Sequence, residues 1–388
     1  MEKIHRRFWI LVTIVAISGF SQGMLLPLIA VIFENSGVSS VTNGLHATSL
    51  YIGVLLASPF MEQPLRKYGY KPIIVFGGLL VCISLLMFPL WKSIGFWFLL
   101  RLLIGIGDHA VNFAAQTWIT AFSPEHKRGR NIAIYGLFFG IGFAVGPLMV
   151  PLITIHQALP FILSSIISLI GWLFLLTLTN EKPDYDVYLN STKDTFKRFY
   201  QAWKYGWIAF LPPFTYGFLE TTLNGNFPIY GLRIGLEVNH ISTLLAAFAI
   251  GTIVFQLPLG MCSDKFGRGN TLTVVLFLGC ALFLTASFLE TYYYGLIICL
   301  FMAGMFVGST FSLGIAYMTD ITPKHLLPTG NLLCGVFFSI GSLIGPTLGG
   351  AFIQLFKSAS IFHIISFLFF IVFVVIGIQN TIHLRRHH

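Results

Sequence analysis

Gly136–Pro147, with the sequence GLFFGIGFAVGP, recurs 199 positions later as Gly335–Pro346, with the sequence GVFFSIGSLIGP. Both stretches follow the pattern G-x-F-F-x-I-G-x-x-x-G-P, and the match extends back without a gap to Gly105 and Gly304. Glycine and proline at fixed offsets report backbone requirements, because glycine permits close approach and proline removes a hydrogen-bond donor. We therefore predict two copies of one structural unit.

The flanks of both copies are too apolar for a soluble protein. Of 388 residues, 56% are hydrophobic and 10% are charged, whereas about 25% are charged in an ordinary soluble protein. Apolar runs of roughly 20 residues indicate membrane-spanning helices, and they differ from the short alternating strands of a β-barrel. We predict twelve segments, at 8–33, 43–61, 72–91, 95–122, 130–153, 158–179, 206–232, 240–262, 270–289, 293–319, 327–355 and 359–381.

The predicted fold is all-α and integral to the membrane, with twelve transmembrane helices in two six-helix pseudo-symmetric bundles. The longest polar stretch separates six segments from six. We predict an N-terminal bundle at 1–180, a cytoplasmic linker at 181–205 and a C-terminal bundle at 206–388. Two parallel repeats are typical of transporters whose substrate site lies between the halves near the membrane midplane.

The positive charges predict the orientation of the chain. The formal net charge is +9, and all but four of the 23 Lys and Arg residues fall on one side of the segments; the exceptions are Lys92, Arg101, Arg233 and Lys357. Because cytoplasmic loops carry the excess of Lys and Arg, we expect both termini in the cytoplasm. No loop interleaves basic and aromatic residues, which argues against nucleic acid as a partner.

Several short motifs lie at the ends and centres of the predicted segments. They are GMLLP at 23–27, MEQPLRKYGYK at 61–71, RLLIGIG at 101–107, GFAVGP at 142–147, GMCSDKFGR at 260–268 and GSLIGPTLGG at 341–350. With these motifs the whole chain resembles a major facilitator superfamily transporter, and it is most similar in pattern to the twelve-helix drug:proton antiporters. One departure is Arg66, which stands where the family pattern G-x-L-x-D-R-x-G-R has an aspartate.

The resemblance implies how the chain works and which residues take part. It implies a bacterial cell-membrane protein that works by alternating access and couples efflux to protons. It also implies a role for Arg101 in proton transfer. We expect the protein to act as a monomer. The gating residues are expected to be Asp264, Gly267 and Arg268 in the loop, together with the helix-packing residues Gly142, Gly146, Pro147, Gly345 and Pro346.

Three ionisable residues lie deep in predicted helices, where each costs roughly 2.5–3.5 kcal/mol on insertion scales. They are Arg101, Asp108 and Glu220, and we predict that they take part in proton coupling, with Arg101 and Asp108 as a pair. At 100° per residue, the polar residues of the fourth segment share a sector of about 100°. We expect a wet cavity lined by Gln22, His46, His109, Asn112, Gln116, Tyr135, Tyr216, Asn224 and Phe227.

Other functions compete with export of a small amphipathic compound. The amides and His46 favour a sugar or polar metabolite, whereas the aromatic residues favour lipophilic compounds. A further alternative is a membrane protein that kept this fold, no longer transports a substrate and acts in signalling or assembly. We expect no enzyme activity, no cofactor and no metal site, because the sequence has no GxxxxGK[ST] or HExxH pattern and its loops contain no GxSxG. The one GxSxG match, at 19–23, lies within the first predicted apolar segment.

Overall fold

The computed structural model describes residues 2–182, 192–323 and 326–386, so part of the predicted linker lies outside the described residues. The regular structure of this part of the chain is helical. The α-helices are α1 Glu2–Asn35, α2 Ser40–Ala57, α3 Glu62–Tyr68, α4 Tyr70–Met87, α5 Ile94–Phe122, α6 Glu125–Val145, α7 Leu159–Leu176, α8 Thr192–Gly206, α9 Leu211–Gly225, α10 Phe227–Arg233, α11 Val238–Phe266, α12 Arg268–Phe288, α13 Tyr293–Val307, α14 Thr310–Ile321, α15 Leu327–Leu355 and α16 Ile361–Arg386.

The helices confirm the predicted fold class. Ten helical stretches within the described ranges are long and apolar enough to cross a membrane. The second predicted segment is α2, which has 18 residues, and the seventh is interrupted between α9 and α10. Pro228 at the start of α10 has no backbone N–H to continue the helical ladder, which explains the interruption.

Proline also changes the fifth segment. Its α-helix ends at Val145, and a 3₁₀ helix from Gly146 to Thr154 continues it. Pro147 and Pro151 lie in this stretch, where neither can donate a backbone hydrogen bond. The predicted segment 130–153 is therefore correct in extent, but its second part has a tighter winding than an α-helix.

The chain divides into two compact units, and each has its own apolar core. The N-terminal unit comprises Met1–Ile29 and Leu45–Asp186, and the C-terminal unit comprises Ala30–Gly44 and Val187–His388. Trp118 is fully buried in the N-terminal core and stacks on Tyr70 at 5.4 Å. In the C-terminal core, Phe283 packs against Phe369 at 5.8 Å.

The stretch 30–44 belongs to the C-terminal unit, although it lies within the predicted N-terminal bundle of residues 1–180. Arg233 binds Glu34 with two hydrogen bonds, of 2.7 and 3.0 Å. The Asn43 amide donates to the Gly225 carbonyl at 2.8 Å, and the Ser40 hydroxyl donates to the Gly350 carbonyl at 3.0 Å. Glu34, Ser40 and Asn43 are thus bound to later residues of the C-terminal unit.

The repeated glycines hold one pair of helices close together in each unit. A Cβ atom on Gly142 would collide with the Ala16 carbonyl oxygen of α1, and one on Gly341 would collide with the Phe214 carbonyl oxygen of α9. Small residues at this spacing let helix backbones approach closely. The same motif therefore makes the same kind of contact in both copies of the repeat.

Candidate functional site

Asp108 is the central acidic group of the N-terminal unit. It lies on α5, and only 2% of its surface is exposed. Its Oδ1 atom accepts a hydrogen bond of 2.8 Å from the Ser18 hydroxyl of α1. Its Oδ2 atom is buried and has no hydrogen bond of good geometry from the residues that the structure describes. The Gln22 amide is a second neutral neighbour of the carboxyl group. The carboxyl group is therefore held in an apolar region with one oxygen still available.

A chain of neutral polar groups surrounds the Ser18 hydroxyl. The Asn112 amide donates to Ser18 Oγ at 2.9 Å, and the Gln22 amide donates to the same atom at 3.5 Å. The Tyr135 hydroxyl of α6 donates to Asn112 Oδ1 at 3.0 Å. Three of the predicted cavity residues, Gln22, Asn112 and Tyr135, are thus brought together. The network fixes Asp108 without supplying a positive charge.

Arg101 is fully buried two turns earlier on α5, in a second cluster. Its Nη1 atom donates to His46 Nδ1 of α2 at 3.0 Å. The His46 Nε2 atom lies 3.2 Å from the Ile94 carbonyl oxygen, so the ring carries its proton on Nε2 and accepts on Nδ1. The predicted pair of Arg101 with Asp108 is therefore not formed, because each side chain finds its partner on a different helix.

The other polar residues of α5 lie away from Asp108. His109 contacts the Ser58 hydroxyl at 3.1 Å and stacks on Phe113 at 6.2 Å. Gln116 is exposed. The polar residues of α5 do lie in the helix as predicted, but they contact different neighbouring helices and do not form one cluster.

Glu220 is the corresponding acidic group of the C-terminal unit, on α9. It is partly exposed, and its carboxylate has no hydrogen bond or ion pair within the part of the chain that the structure describes. One helical turn earlier lies Tyr216, whose ring approaches Phe311 at 6.5 Å and Phe338 at 6.2 Å. Phe311 and Phe338 meet edge to face at 5.3 Å. A lone carboxylate thus stands beside a group of three aromatic rings.

Two predicted cavity residues of the C-terminal unit are buried in this structure. Phe227 is fully buried and packs against Phe362 at 5.5 Å, so it is a core residue. Asn224 is 4% exposed, and its amide donates to the Glu220 backbone carbonyl of the same helix at 2.8 Å. A periodic face does not distinguish a residue that lines a cavity from one that packs against another helix.

The predicted gating loop is held by Arg268 at the start of α12. Its Nη1 atom donates to the Ala316 carbonyl at 2.7 Å and to Asp320 Oδ1 at 3.0 Å, both on α14. Asp264 lies 3.5 Å from the same guanidinium group. Gly267 has φ +89°, a left-handed conformation that favours glycine. The loop is thereby attached to α14 of its own unit.

Several residues of these clusters were not predicted as site residues. They are Phe311, Phe338 and Asp320. Ser18 lies one helical turn before Gln22 on α1, and this spacing predicts that both line the same polar face. Phe338 lies inside the repeated motif, where only the glycines and the proline were predicted to take part in function.

Known proteins match this chain over most of its length. The family model described as Major Facilitator Superfamily matches residues 11–238 and 209–380. The chain belongs to the major facilitator superfamily. Its fold is therefore that of a membrane transporter. A member from Bacillus subtilis (strain 168), the "Uncharacterized MFS-type transporter YfkF", is 56% identical over 367 residues, covering 94% of this chain and 93% of the relative.

More distant members agree with this assignment. The "Uncharacterized MFS-type transporter Ent638_1421" of Enterobacter sp. (strain 638) is 22% identical and covers 84% of each chain. Among solved structures, the nucleoside transporter NupG has a TM-score of 0.76 at 14% identity, covering 96% of this chain and 98% of its own. A bacterial homolog of the human lysosomal transporter Spinster has a TM-score of 0.70 at 19% identity, covering 91% and 83%. These structures show the superfamily fold.

Proposed function

We propose that this protein is a secondary active transporter that exports a small amphipathic compound in exchange for protons. The observation that carries the proposal is the state of Asp108, a buried carboxyl group whose polar neighbours, the Ser18 hydroxyl and the Gln22 amide, are both neutral. A carboxylate without a counter-charge in an apolar region is costly, and binding a proton removes that cost. Asp108 is thus suited to bind and release a proton as its surroundings change.

Glu220 and its aromatic neighbours support the substrate side of the proposal. A partly exposed carboxylate attracts a cation, and the faces of Tyr216, Phe311 and Phe338 offer apolar area and cation–π attraction. Lipophilic compounds with a positive charge fit this combination. Glu220 would then serve either as a second protonation site or as the group that binds the cation.

The contacts of Arg101 give it a positioning role in this scheme. Its guanidinium group is fully buried and bound to the neutral His46 ring. The His46 ring in turn donates to a backbone carbonyl. A rearrangement that exposes Arg101 would change the electrostatic field at Asp108, two turns or about 10 Å along the same helix. Proton affinity and conformation would then be coupled.

Gating is proposed to involve the Arg268 loop and the repeated glycines. Arg268 joins the ends of α11 and α14 through Asp264 and Asp320. Gly142, Gly146 and Pro147 lie in the fifth segment, and Gly345 and Pro346 in the eleventh, where closely packed helices can slide without displacing side chains. Asp264→Asn is expected to slow turnover without weakening substrate binding.

A second candidate is transport of a sugar or another polar metabolite. The observation that favours it is the amide and hydroxyl chain of Gln22, Ser18, Asn112 and Tyr135, which offers donors and acceptors to a polar ligand. Binding screens on the purified protein distinguish the two candidates, because a ligand raises apparent stability by mass action. Stabilisation by sugars but not by lipophilic cations would favour the second.

The coupling is tested in proteoliposomes with an imposed pH gradient and a substrate found by that screen. Asp108→Asn and Glu220→Gln are expected to abolish gradient-driven transport while the folded protein is retained. Glu237→Gln is the matched control, because it removes the same charge from an exposed position at the start of α11. Full coupled transport by both Asp108→Asn and Glu220→Gln would contradict the proposal.

A further inference from the structure

A small, partly open cavity of the N-terminal unit lies beside Asp108. It is lined by α1, α4, α5 and α7, and its volume is about 30 Å³. Roughly 10–15 Å³ by this measure is enough for one water molecule. The wall is apolar apart from Ser18, Ser21, Asp108 and Ser168. The cavity therefore has room for one or two small species and oxygen atoms on only part of its wall.

The available oxygen of Asp108 gives this cavity its chemistry. Oδ1 is occupied by the Ser18 hydroxyl, while Oδ2 is buried and has no hydrogen bond of good geometry from the described residues. A water molecule in the cavity would satisfy a hydrogen bond but would leave the negative charge uncompensated. A single positive charge satisfies both requirements.

The serine hydroxyl groups supply further oxygen ligands. Ser21 Oγ lies 3.1 Å from Ser164 Oγ and 3.5 Å from Ser168 Oγ, on α7. Each hydroxyl has one proton and two lone pairs, so the protons shared among these groups leave lone pairs for a cation. Ser18 is less available, because its oxygen already accepts from Asn112 and Gln22. Asp108, Ser21 and Ser168 are therefore the candidate ligands.

We propose that this cavity binds a monovalent cation of the size of Na⁺, with Asp108 Oδ2 and the hydroxyl oxygens of Ser21 and Ser168 as ligands. One carboxylate neutralises one positive charge, whereas a divalent ion would leave a net charge in the apolar interior. A carboxylate binds the smaller Na⁺ or Li⁺ at a shorter distance than K⁺, so the Coulomb attraction to the smaller ion is stronger.

The cation and a proton are alternative occupants of the same carboxyl group. The site itself does not rest on the proposed transport function, because binding is measured without substrate and without a gradient. Failure of coupled transport in proteoliposomes would leave the cation site intact. Absence of cation binding would leave proton-coupled export intact.

The test is thermal denaturation of the purified, substrate-free protein in detergent. NaCl is titrated against choline chloride at constant ionic strength, with KCl as a second comparison. The denaturation temperature is expected to rise with the logarithm of the Na⁺ concentration beyond the half-saturation point. The rise is expected to be smaller in KCl and absent in choline chloride. An equal effect of NaCl and choline chloride would overturn the proposal.

Variants locate the effect in the cavity. Asp108→Asn is expected to abolish the Na⁺ response, and Ser168→Ala and Ser21→Ala to weaken the apparent affinity by roughly tenfold or more, as loss of a supporting group does at metal sites. Ser242→Ala is the control, since this buried hydroxyl of the C-terminal unit has no hydrogen-bond partner among the described residues. If Asp108→Asn does not fold, the two serine variants decide. An unchanged Na⁺ response in both of them would refute the site.

Discussion

At the scale of the residue, Glu181 shows how one side chain secures the end of the N-terminal bundle. Its carboxylate pairs with Arg7 of α1 and accepts a hydrogen bond of 2.9 Å from the Trp118 indole of α5. The Arg7 guanidinium also lies over the Phe122 ring at 4.5 Å. The Glu181 backbone carbonyl accepts from Tyr70 N–H at 3.0 Å. Glu181, which follows the sixth predicted segment, therefore contacts α1, α4 and α5 by itself.

This cluster predicts a pH dependence of stability. The hydrogen bond from Arg7 holds the pKa of the Glu181 carboxyl below its usual range. A lowered pKa in the folded state contributes stability above the unfolded value of about 4.3, and that stability is lost as the pH falls through the folded value. The carboxylate is 45% exposed, so the contribution is expected to be below about 1 kcal/mol.

Glu181→Gln is therefore expected to lower the denaturation temperature at pH 7, and the difference from the unmodified protein should shrink below about pH 4. Denaturation temperatures measured from about pH 7 to about pH 3 check this. Glu237→Gln, at an exposed position, is expected to follow the unmodified protein throughout. A difference that persists unchanged at the acid end of this range would show that the carboxylate charge is not the cause.

The sequence located the important ionisable residues but not their partners. Helical geometry placed Arg101 and Asp108 on one face of α5, and both are indeed buried. Their partners come from α2 and α1, and Ser18 is 90 positions away from Asp108 in the chain. Such contacts depend on how helices pack, which the periodicity of one helix does not specify.

At the scale of the element, the repeated glycines predict a difference between neighbouring positions of one helix. Gly142 and Gly341 lie against the backbone of a packed helix, whereas a Cβ atom on Gly136 or Gly335 would meet nothing within 4 Å. Overpacking a tight contact costs typically about 1–3 kcal/mol. Alanine in place of glycine at an open helical position stabilises by roughly 0.5–1 kcal/mol.

We therefore expect Gly142→Ala and Gly341→Ala to lower the denaturation temperature of the purified protein. The controls Gly136→Ala and Gly335→Ala are expected to leave it unchanged or to raise it slightly. The four variants introduce the same methyl group into α6 and α15, so helix propensity is matched. Equal destabilisation by all four would mean that close packing is not the role of the motif.

The positions of the helices were predicted better than their interruptions. Apolar length predicted each of the twelve segments, because the thickness of the bilayer fixes it. The break before α10 and the 3₁₀ stretch after Val145 depend on prolines, which the sequence shows at 228, 147 and 151. A proline can bend, tighten or end a helix, and the neighbouring helices decide among these outcomes.

At the scale of the whole molecule, each unit binds the start of its third segment with an asparagine from near the end of its sixth. The Asn180 amide donates to the Tyr68 carbonyl at 2.8 Å in the N-terminal unit. In the C-terminal unit, the Asn380 amide donates to the Thr273 hydroxyl at 2.9 Å. Both asparagines lie near the end of the sixth segment of their unit and bind the start of the third. The asparagines are 200 positions apart and their partners 205 apart, against the repeat offset of 199, so the two contacts are similar in kind but not in register.

The two loops differ where the motif differs. Arg268 binds Asp264 and Asp320 in the C-terminal unit, whereas Arg66 replaces the aspartate in the first copy. There the loop is held from the chain that follows the sixth segment, through Asn180 and Glu181. The substitution therefore does not leave the first loop without support, because contacts within its own unit replace the charge pair.

The orientation of the whole molecule is a prediction that one native thiol can test. Cys262 is exposed near the end of α11, on the side that carries most of the Lys and Arg residues, while the other cysteines are buried or partly buried. A maleimide that does not cross membranes is expected to label Cys262 in inside-out vesicles and not in intact bacterial cells, because basic loops remain in the cytoplasm. Cys262→Ala should remove the label, which would show that the label is on Cys262.

A second variant in the Cys262→Ala background is the control. Ser358→Cys places a thiol in the exposed loop between α15 and α16, and this thiol should be labelled in intact cells. Labelling of the native Cys262 in intact cells would reverse the predicted topology.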